Sequence, residues 1–452
     1  MKIKVSENLK KLAGALGGDL YIVGGTVRNA MLKLPQGDVD IAGSKLPSEV
    51  KELATACGFD VIDDYASFGT LLIKRGKESF EYTTFRTDSY KNAHRPTVVE
   101  FTKDVATDAK RRDFTANAVY YKVSSRELVD PLGGTTDIEK KLLRSASGEK
   151  TFEEDGLRLL RLVRFSGELG FSIETSTFNY AKAHADKIKE IAPERIMQDL
   201  QKILLCDIKY GEVCPERVFN ALKALDNLGV LDYIFPKLTL GRGMAQNAEH
   251  HKYDVLDHCL WAAAYAKPEI RLYALLHDIG KPECFLKNGN FYEHAEIGAD
   301  IVCEELTRLR CKKSVIERAV RLTREHMKDL CGDMRENKLR KYFVKNADIL
   351  DDLISLKIAD GYASGMDDGY SVTVRRWAEL LADMKADGLP FSVAGLKITG
   401  GDVIAITGKE NAKYTSLILQ NLLDKVVTKE IRNTKTDLSK NVERAFKEVK
   451  NG

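Results

Sequence analysis

Residues 22–42 read Ile-Val-Gly-Gly-Thr-Val-Arg-Asn-Ala-Met-Leu-Lys-Leu-Pro-Gln-Gly-Asp-Val-Asp-Ile-Ala. An apolar strand leads into the pair Gly24-Gly25, a helix follows with Arg28 in its first turn, and a second strand delivers Asp38 and Asp40. Glycine has no Cβ, so its backbone N–H groups approach phosphate closely, and arginine offers a fork of donors to phosphate oxygens. Aspartates two apart on a strand share one face and can bind hard cations such as Mg2+. The stretch therefore predicts a nucleotide site with its metal.

Each half of this pattern has a plainer alternative. A glycine pair alone is a strand-to-helix turn, and an Asp-x-Asp pair alone is a solvated surface pair. Their combination with Arg28 at this spacing favours the nucleotide site. Two cations at Asp38 and Asp40 would activate an attacking hydroxyl and stabilise a leaving pyrophosphate.

Bulk composition bounds the protein class. A chain of 452 residues predicts several domains, and a net charge of +3 with 30% charged residues indicates no particular partner. The eight cysteines are scattered without a Cys-x-x-Cys pair, which argues against a zinc site or disulfide framework and for a reducing cytoplasm. No signal-peptide core or membrane-length apolar run is present, so we expect an intracellular protein without a membrane partner.

The secondary-structure pattern changes along the chain. Up to about residue 143, apolar strands alternate with short helices, and from about 150 onward apolar residues recur at helical spacing. We predict an α+β protein: an N-terminal head with a small mixed β-sheet, followed by an elongated all-α neck, body and tail. The expected domains are 1–143, 144–243, 244–365 and 366–452. The expected strands lie near 20–24, 38–42, 70–74, 79–85, 98–101 and 116–122.

A second polar motif reads Arg111-Arg112-Asp113-Phe114. Adjacent arginines beside an aspartate can hold phosphate while the carboxylate holds them. The alternative is an ordinary surface ion-pair cluster. Its position one strand and loop beyond the aspartate pair assigns Arg111 and Arg112 to the same site.

A third motif lies on a predicted helix over 154–165, where Asp155, Arg158, Arg161 and Arg164 recur every three residues among leucines. A carboxylate that accepts from an exocyclic amine, beside a guanidinium that donates to a ring nitrogen, fits cytosine and adenine. Uracil and guanine present the reverse pattern and would leave buried groups unpaired. The alternative is a helix surface with internal Asp–Arg pairs.

Together these motifs resemble those of the class II tRNA nucleotidyltransferases, the CCA-adding enzymes of the polymerase-β-like superfamily. The resemblance extends over nearly the whole chain. It is carried by Gly24-Gly25-x-Val27-Arg28, Asp38-x-Asp40, Arg111-Arg112-Asp113-Phe114-Thr115, Glu154-Asp155-x-x-Arg158, Glu194-Arg195-Ile196 and Leu396-x-Ile398-x-Gly400-Gly401-Asp402-Val403.

The resemblance implies a function and a role for each motif residue. The function would be addition of the 3′-terminal CCA of tRNA from CTP and ATP, with release of diphosphate and without a nucleic-acid template. It implies catalytic Mg2+ binding by Asp38 and Asp40, and a base template formed by Asp155 and Arg158. Nucleotide phosphate or sugar would be bound by Gly24, Gly25, Arg28, Arg111 and Arg112, with Arg161 and Arg164 supporting the template and triphosphate. Glu81 is a weaker candidate for a further carboxylate near the metals.

Two departures from the family pattern bear on the exact activity. Asn29 stands where the family usually has Asp, and the loop 90–96 departs from the usual charge pattern at Asn92 and His94. Because that region helps switch such enzymes from C to A addition, the hypothesis of a partial enzyme that adds only CC or only A stays open. Two more hypotheses stay open, namely a bacterial poly(A) polymerase and an HD-type metal-dependent phosphohydrolase with a regulatory head. The oligomeric state is open as well.

A separate histidine-rich segment reads Leu275-Leu276-His277-Asp278-Ile279-Gly280-Lys281-Pro282. This segment resembles the core of HD-superfamily phosphohydrolases, so 244–365 is expected to be an HD domain with a second divalent metal. The resemblance implies His258, His277, Asp278 and Asp360 as primary ligands, with His294 and His326 at a second metal or the phosphate. The alternative is a helical domain that only supports tRNA or a dimer.

Overall fold

The computed structural model describes residues 3–89, 98–211, 213–247 and 251–451, so the loop departures at Asn92 and His94 lie outside the described residues. The chain divides into two compact units. The first comprises Met1–Leu240 with Glu305–Cys311, and the second comprises Gly241–Glu304 with Lys312–Gly452. All described strands lie in the first unit, which confirms the predicted α+β class with an N-terminal sheet. The finer domain boundaries stay predictions.

The first unit is built on a seven-stranded mixed sheet in the order β3-β4-β5-β2-β1-β8-β9. Strand β2 pairs in parallel with β5, and the remaining neighbours in this sheet are antiparallel. Strands β6 and β7 form a separate antiparallel pair, and β10 pairs in parallel with β11. The strands are β1 (Tyr21–Val23), β2 (Asp40–Gly43), β3 (Asp60–Ile62), β4 (Thr70–Arg75), β5 (Glu78–Thr84), β6 (Arg86–Ser89), β7 (Val98–Phe101), β8 (Tyr120–Lys122), β9 (Leu128–Val129), β10 (Leu142–Leu143) and β11 (Ser172–Ile173).

Alternation of buried side chains explains the central hairpin. Leu71 and Ile73 of β4 are buried, and so are Phe80 and Tyr82 of β5, every second residue in each strand. The period of two places these apolar residues on the inner face.

Two predicted strands differ from those observed. The strand expected over 38–42 begins at Asp40, because Asp38 lies before it on a segment held by a 2.9 Å bond from the Thr26 hydroxyl to the Asp38 carbonyl. The strand expected over 116–122 begins at Tyr120, because Thr115–Asn117 form a 3-10 turn. The prediction that Asp38 and Asp40 share one strand was therefore wrong, although they remain close in sequence.

Some helices of the first unit pack on strands of the sheet, and most of the others follow it in the chain. The helix predicted over 154–165 is broken at Asp155, whose backbone is extended (φ −147°, ψ 104°). At Gly156 a Cβ would lie 2.3 Å from the Lys187 carbonyl oxygen, so only glycine permits this close approach. The helices are α1 (Glu7–Ala15), α2 (Gly25–Leu32), α3 (Pro47–Ala56), α4 (Val105–Lys110), α5 (Gly134–Glu139), α6 (Lys150–Glu154), α7 (Leu157–Leu169), α8 (Thr175–Ala183), α9 (Pro193–Leu204), α10 (Pro215–Asn227), α11 (Leu231–Ile234) and α12 (Pro236–Thr239).

Within its described residues, the second unit contains helices and connecting segments but no strand. Its core is built mainly where α13 packs on α14 and α19, with Trp377 of α20 fully buried further along. Its helices, of which α16 has its last four residues in the first unit, are α13 (Val255–Tyr265), α14 (Arg271–Leu276), α15 (Lys281–Asn288), α16 (His294–Arg308), α17 (Lys313–Glu325), α18 (Glu336–Lys345), α19 (Leu350–Ala363), α20 (Val372–Ala386), α21 (Gly400–Thr407), α22 (Thr415–Val427) and α23 (Lys435–Asn451).

Two global expectations can be compared with the structure. In the described parts of the chain, we find no helix with the length and apolar character needed to traverse a bilayer. All eight cysteines are unpaired.

Candidate active site and candidate metal centre

The glycine turn brings the backbone close to a carboxylate. Gly24, between β1 and α2, has φ +79° and ψ −140°, a conformation that L side chains rarely adopt. A Cβ built there would lie 3.5 Å from Asp40 Oδ2. The turn therefore leaves open space between the start of α2 and the end of the sheet that carries Asp40.

Arg28 is buried and held on several sides. Its guanidinium donates to Asn29 Oδ1 at 2.9 and 3.2 Å and to Asn117 Oδ1, and it stacks 5.0 Å over the Phe165 ring. Desolvation lowers the pKa of Arg28 from its ordinary value. The Asn29 amide also donates to the Pro35 carbonyl at 2.8 Å. Asn29, the departure from the family pattern, thus braces the arginine with a neutral acceptor.

Two acidic side chains lie side by side at one end of the sheet, and the charge of a third acts on them. Asp40 of β2 is the register partner of Glu81 on β5. Desolvation and the charges of Glu81 and Asp38, opposed by Arg112, raise the pKa of Asp40 to about 6. Carboxylates that repel one another in this way form an all-oxygen donor set suited to a hard divalent cation.

The two adjacent arginines are oriented by a buried carboxylate. Asp108 accepts from Arg111 Nε at 2.7 Å, from Arg112 Nη2 at 3.2 Å and from the Tyr120 hydroxyl at 2.6 Å. The Arg112 guanidinium also lies 5.1 Å over the Tyr120 ring. The guanidinium groups of both arginines are therefore fixed in orientation. No sequence motif indicates Asp108 as their partner.

Asp113 holds another arginine. It accepts from Arg161 Nε at 2.8 Å, from Asn117 Nδ2 at 2.9 Å and from the Phe114 backbone N–H at 2.8 Å. Burial alone would raise its pKa, but the charge of Arg161 and these hydrogen bonds hold the pKa of Asp113 well below its usual range. The ionised Asp113 carboxylate thus fixes the positions of the Arg161 and Asn117 side chains.

The Asp155–Arg158 pair lies at the break between α6 and α7. Asp155 Oδ1 accepts from the Leu157 backbone N–H at 2.9 Å, and desolvation raises the pKa of Asp155. Arg158 is buried and donates to the carbonyls of Thr151 at 3.1 Å and Arg111 at 2.6 Å. Asp155 is fixed through Oδ1, which leaves its Oδ2 for a ligand. Arg158 is held through both terminal nitrogens and lies 3.7 Å from Glu154 Oε2, but the guanidinium has further N–H groups for a ligand.

These residues line one cleft of about 440 Å³ within the first unit. Asp38 and Arg164 line a neighbouring hollow of about 550 Å³ instead, and Arg164 bonds to Asp199. Two further lining residues, Asn117 and Arg195, carry no predicted role, although Arg195 belongs to the quoted Glu194-Arg195-Ile196 motif. The predicted residues that the structure brings together in the cleft are Gly24, Gly25, Arg28, Asp40, Arg111, Arg112, Asp155, Arg158 and Arg161.

A second polar cluster is buried in the second unit. His258 Nε2 lies 3.0 Å from Asp360 Oδ1 and 3.4 Å from Asp278 Oδ2. His277 Nε2 lies 3.3 Å from Asp278 Oδ2 and 3.7 Å from Asp360 Oδ1. The predicted primary ligands therefore converge on one point, with carboxylates from α19 and from the residue after His277.

The second oxygen of the same aspartate meets two further histidines. Asp278 Oδ1 lies 3.1 Å from His294 Nε2 and 3.3 Å from His326 Nε2, whose two Nε2 atoms are 3.2 Å apart. Burial lowers the pKa of His326 to about 4, so the imidazole is neutral at neutral pH. Asp278 thus joins two groups of possible metal-binding atoms.

Backbone contacts fix the tautomers of three of these rings. The Nδ1 atoms of His277, His294 and His326 each lie 2.6–2.7 Å from the carbonyl oxygen three residues earlier. A carbonyl only accepts, so each Nδ1 carries a proton, and Nε2 is the ring atom that faces the centre and would bind a metal. Imidazole nitrogens with carboxylates suit a transition metal better than Mg2+.

Comparisons with known proteins match three parts of the chain. Family models match the poly A polymerase head domain over residues 20–144, a probable RNA and SrmB-binding site of polymerase A over 170–240, and the HD domain over 249–361. Domains of the nucleotidyltransferase and HD types generally use divalent metals.

Curated relatives are similar over part of their length. A CCA-adding enzyme of Geobacillus thermodenitrificans is 35% identical over 269 residues, covering 59% of this chain and 61% of that protein. One of Streptococcus pneumoniae is 40% identical over 199 residues, covering 44% of this chain and 48% of that protein. The chain thus spans about half to three fifths of the length of the curated relatives it matches.

Solved structures share the fold over greater lengths. The CCA-adding enzyme of Bacillus stearothermophilus in complex with CTP is 24% identical with a TM-score of 0.66, covering 99% of this chain and 100% of that one. The Thermotoga maritima CCA-adding enzyme complexed with tRNA is 18% identical with a TM-score of 0.58, covering 96% and 93%.

Proposed function

We propose that the chain is a nucleotidyltransferase with a poly A polymerase head domain and an HD domain, and that it adds or repairs the 3′-terminal CCA of tRNA from CTP and ATP. The observation that carries the proposal is a single cleft in which a carboxylate-bearing sheet end, an arginine cluster and the Asp155–Arg158 pair meet. This combination provides for metal, triphosphate and base together. With tRNA as the acceptor, the proposed site of action is the cytoplasm.

The carboxylates and arginines have distinct tasks in the transfer. Mg2+ held by Asp38 and Asp40 would activate the RNA 3′-hydroxyl and stabilise the leaving diphosphate. Phosphate oxygens are bound by Arg28, Arg111 and Arg112. Because their guanidinium groups are already fixed, little side-chain conformational entropy is lost on binding. The 3′-oxygen bonds to the α-phosphorus as the bond to diphosphate breaks.

Asp155 and Arg158 select the incoming base. The Asp155 carboxylate accepts from the exocyclic amine of cytosine or adenine, and Arg158 donates to the adjacent ring nitrogen. Uracil and guanine place an oxygen against the carboxylate and an N–H against the guanidinium. Both contacts then fail, so no nucleic-acid template is needed to reject these bases.

Product length distinguishes the proposed activity from closely related ones. A tRNA lacking CCA, one ending in C, one ending in CC and one ending in CCA are incubated with CTP and ATP, separately and together. A complete enzyme restores each to CCA and stops. Two added C residues without A indicate a CC-adding enzyme, A added only after CC indicates an A-adding enzyme, and a long A tract indicates a poly(A) polymerase. No addition to any acceptor contradicts the proposal.

A second candidate function rests on the buried histidine cluster. His258, His277, Asp278 and Asp360, with His294 and His326, would hold a divalent metal that supplies a water nucleophile for phosphoester hydrolysis. Attack of water on a 2′,3′-cyclic phosphate breaks one ribose O–P bond and leaves a monophosphate. Release of that product with Ni2+ or Mg2+ is compared between the native chain and a His277→Ala variant, and equal rates would contradict the assignment.

A further inference from the structure

One buried lysine in the second unit serves no role in the sites described above. Lys357 lies on α19, three residues before Asp360, and its side chain is buried. Its ammonium group donates to the His326 carbonyl at 2.5 Å and to the Lys328 carbonyl at 2.9 Å. A buried lysine that bonds carbonyls instead of a carboxylate is expensive, so its contacts point to a positioning task.

The carbonyls that Lys357 binds lie just past the end of a helix. Helix α17 ends at Glu325, and His326 begins the turn that follows. Carbonyls at a helix C-terminus lack intrahelical partners and carry partial negative charge, which a cation stabilises. The position of His326 therefore depends on contacts from neighbouring elements. Lys357 makes such a contact with the backbone carbonyl of His326.

Helix α20 fixes the rest of the same turn. Trp377, fully buried, lies under the Lys357 ammonium at 5.1 Å and donates Nε1–H to Asp329 Oδ2 at 2.8 Å. The Thr373 hydroxyl lies 2.6 Å from the Asp329 carbonyl. Lysine, tryptophan and threonine thus clamp the segment that begins at His326.

We infer that Lys357 is a positioning residue for the metal-binding group of Asp278, His294 and His326, acting through the His326 backbone. The inference rests on the proposed metal site. Because Lys357 and Asp360 share α19, the same helix that supplies a ligand to the first group steadies a ligand of the second. Loss of Lys357 should weaken the second group and spare His258 and His277.

The test uses Co2+ as the probe on the full chain. Lys357→Met keeps the length of the side chain and removes its donors. We expect Co2+ affinity of one binding event to fall by about tenfold, the lower range for loss of a supporting residue, with a changed visible d–d spectrum. Lys338→Met, an exposed lysine on α18, is the matched control and should leave both unchanged.

The outcomes separate this inference from the metal site itself. If the native chain binds no Co2+, or if His277→Ala and His326→Ala leave binding intact, the metal site fails and the inference with it. If the native chain binds Co2+ but Lys357→Met matches it in affinity and spectrum, only the role of Lys357 is overturned. Should Lys357→Met not fold by circular dichroism, Lys357→Gln replaces it, since its shorter side chain cannot reach the carbonyls of both His326 and Lys328. A Co2+ affinity and spectrum equal to those of the native chain would then overturn the inference.

Discussion

Replacement of Asp155 by asparagine should relax base selection in a direction that the geometry fixes. Asp155 Oδ1 accepts from the Leu157 backbone N–H. In Asp155→Asn the amide oxygen must keep this bond, so the NH2 group faces the cleft where the native carboxylate accepts. A donor then meets the amine of cytosine, whereas the uracil O4 gains a partner.

The size of the change follows from the bond that is lost. A hydrogen bond to a charged group contributes about 1.5–3 kcal/mol, and opposed donors add to the loss. About 3 kcal/mol corresponds to roughly a hundredfold decrease in the preference for CTP over UTP. Arg158 should keep its orientation through the Thr151 and Arg111 carbonyls, so the remaining preference reflects its contact alone.

The assay measures kcat/KM for single-nucleotide addition of CTP and of UTP to a tRNA that lacks CCA. Glu153→Gln, a change of the same kind on the exposed side of α6, serves as the control and should retain the native ratio. An unaltered CTP/UTP ratio in Asp155→Asn would refute the template role of Asp155.

Three further outcomes are expected. Asp38→Ala should lower the rates of CMP and AMP transfer on the order of a thousandfold without altering their ratio, because a lost metal ligand affects every nucleotide alike. The rates are measured by primer extension. A decrease confined to one nucleotide would contradict the metal role. The pKa of Asp40 is raised to about 6, so Asp40 takes up a proton as the pH falls through that value. The Mg2+ concentration for half-maximal activity should therefore rise below about pH 6 and stay constant above about pH 7. A Mg2+ requirement that does not change with pH would contradict metal binding by Asp40. Gly156→Ala should destabilise the fold by about 1–3 kcal/mol in urea unfolding, because its Cβ would overlap the Lys187 carbonyl, whereas Gly14→Ala, in open space on α1, should be neutral or stabilising by up to about 1 kcal/mol.

Local pattern was sufficient for much of the site. The strand–glycine–helix stretch and the Arg-Arg-Asp motif are short in sequence, so the backbone geometry they need is encoded within a few residues. Gly24, Arg28, Asp40 and Arg112 all line the expected cleft. The alternation in β4 and β5 and the helical spacing beyond residue 150 indicated the class for the same reason.

What the pattern missed depends on contacts distant in sequence. The helix break at Asp155 arises where Gly156 meets the backbone at Lys187, and no periodicity in 154–165 encodes that contact. Arg164, placed by spacing with Arg158, instead bonds to Asp199 of α9. Periodicity orders side chains around a helix axis but does not say what faces each one.

A crystal structure of the chain with CTP bound would show whether the protein itself selects the base. We expect the cytosine N4 within hydrogen-bond distance of the Asp155 carboxylate and N3 within reach of the Arg158 guanidinium, with the triphosphate against Arg28. A cytosine ring lying away from both side chains would contradict selection of the base by the protein.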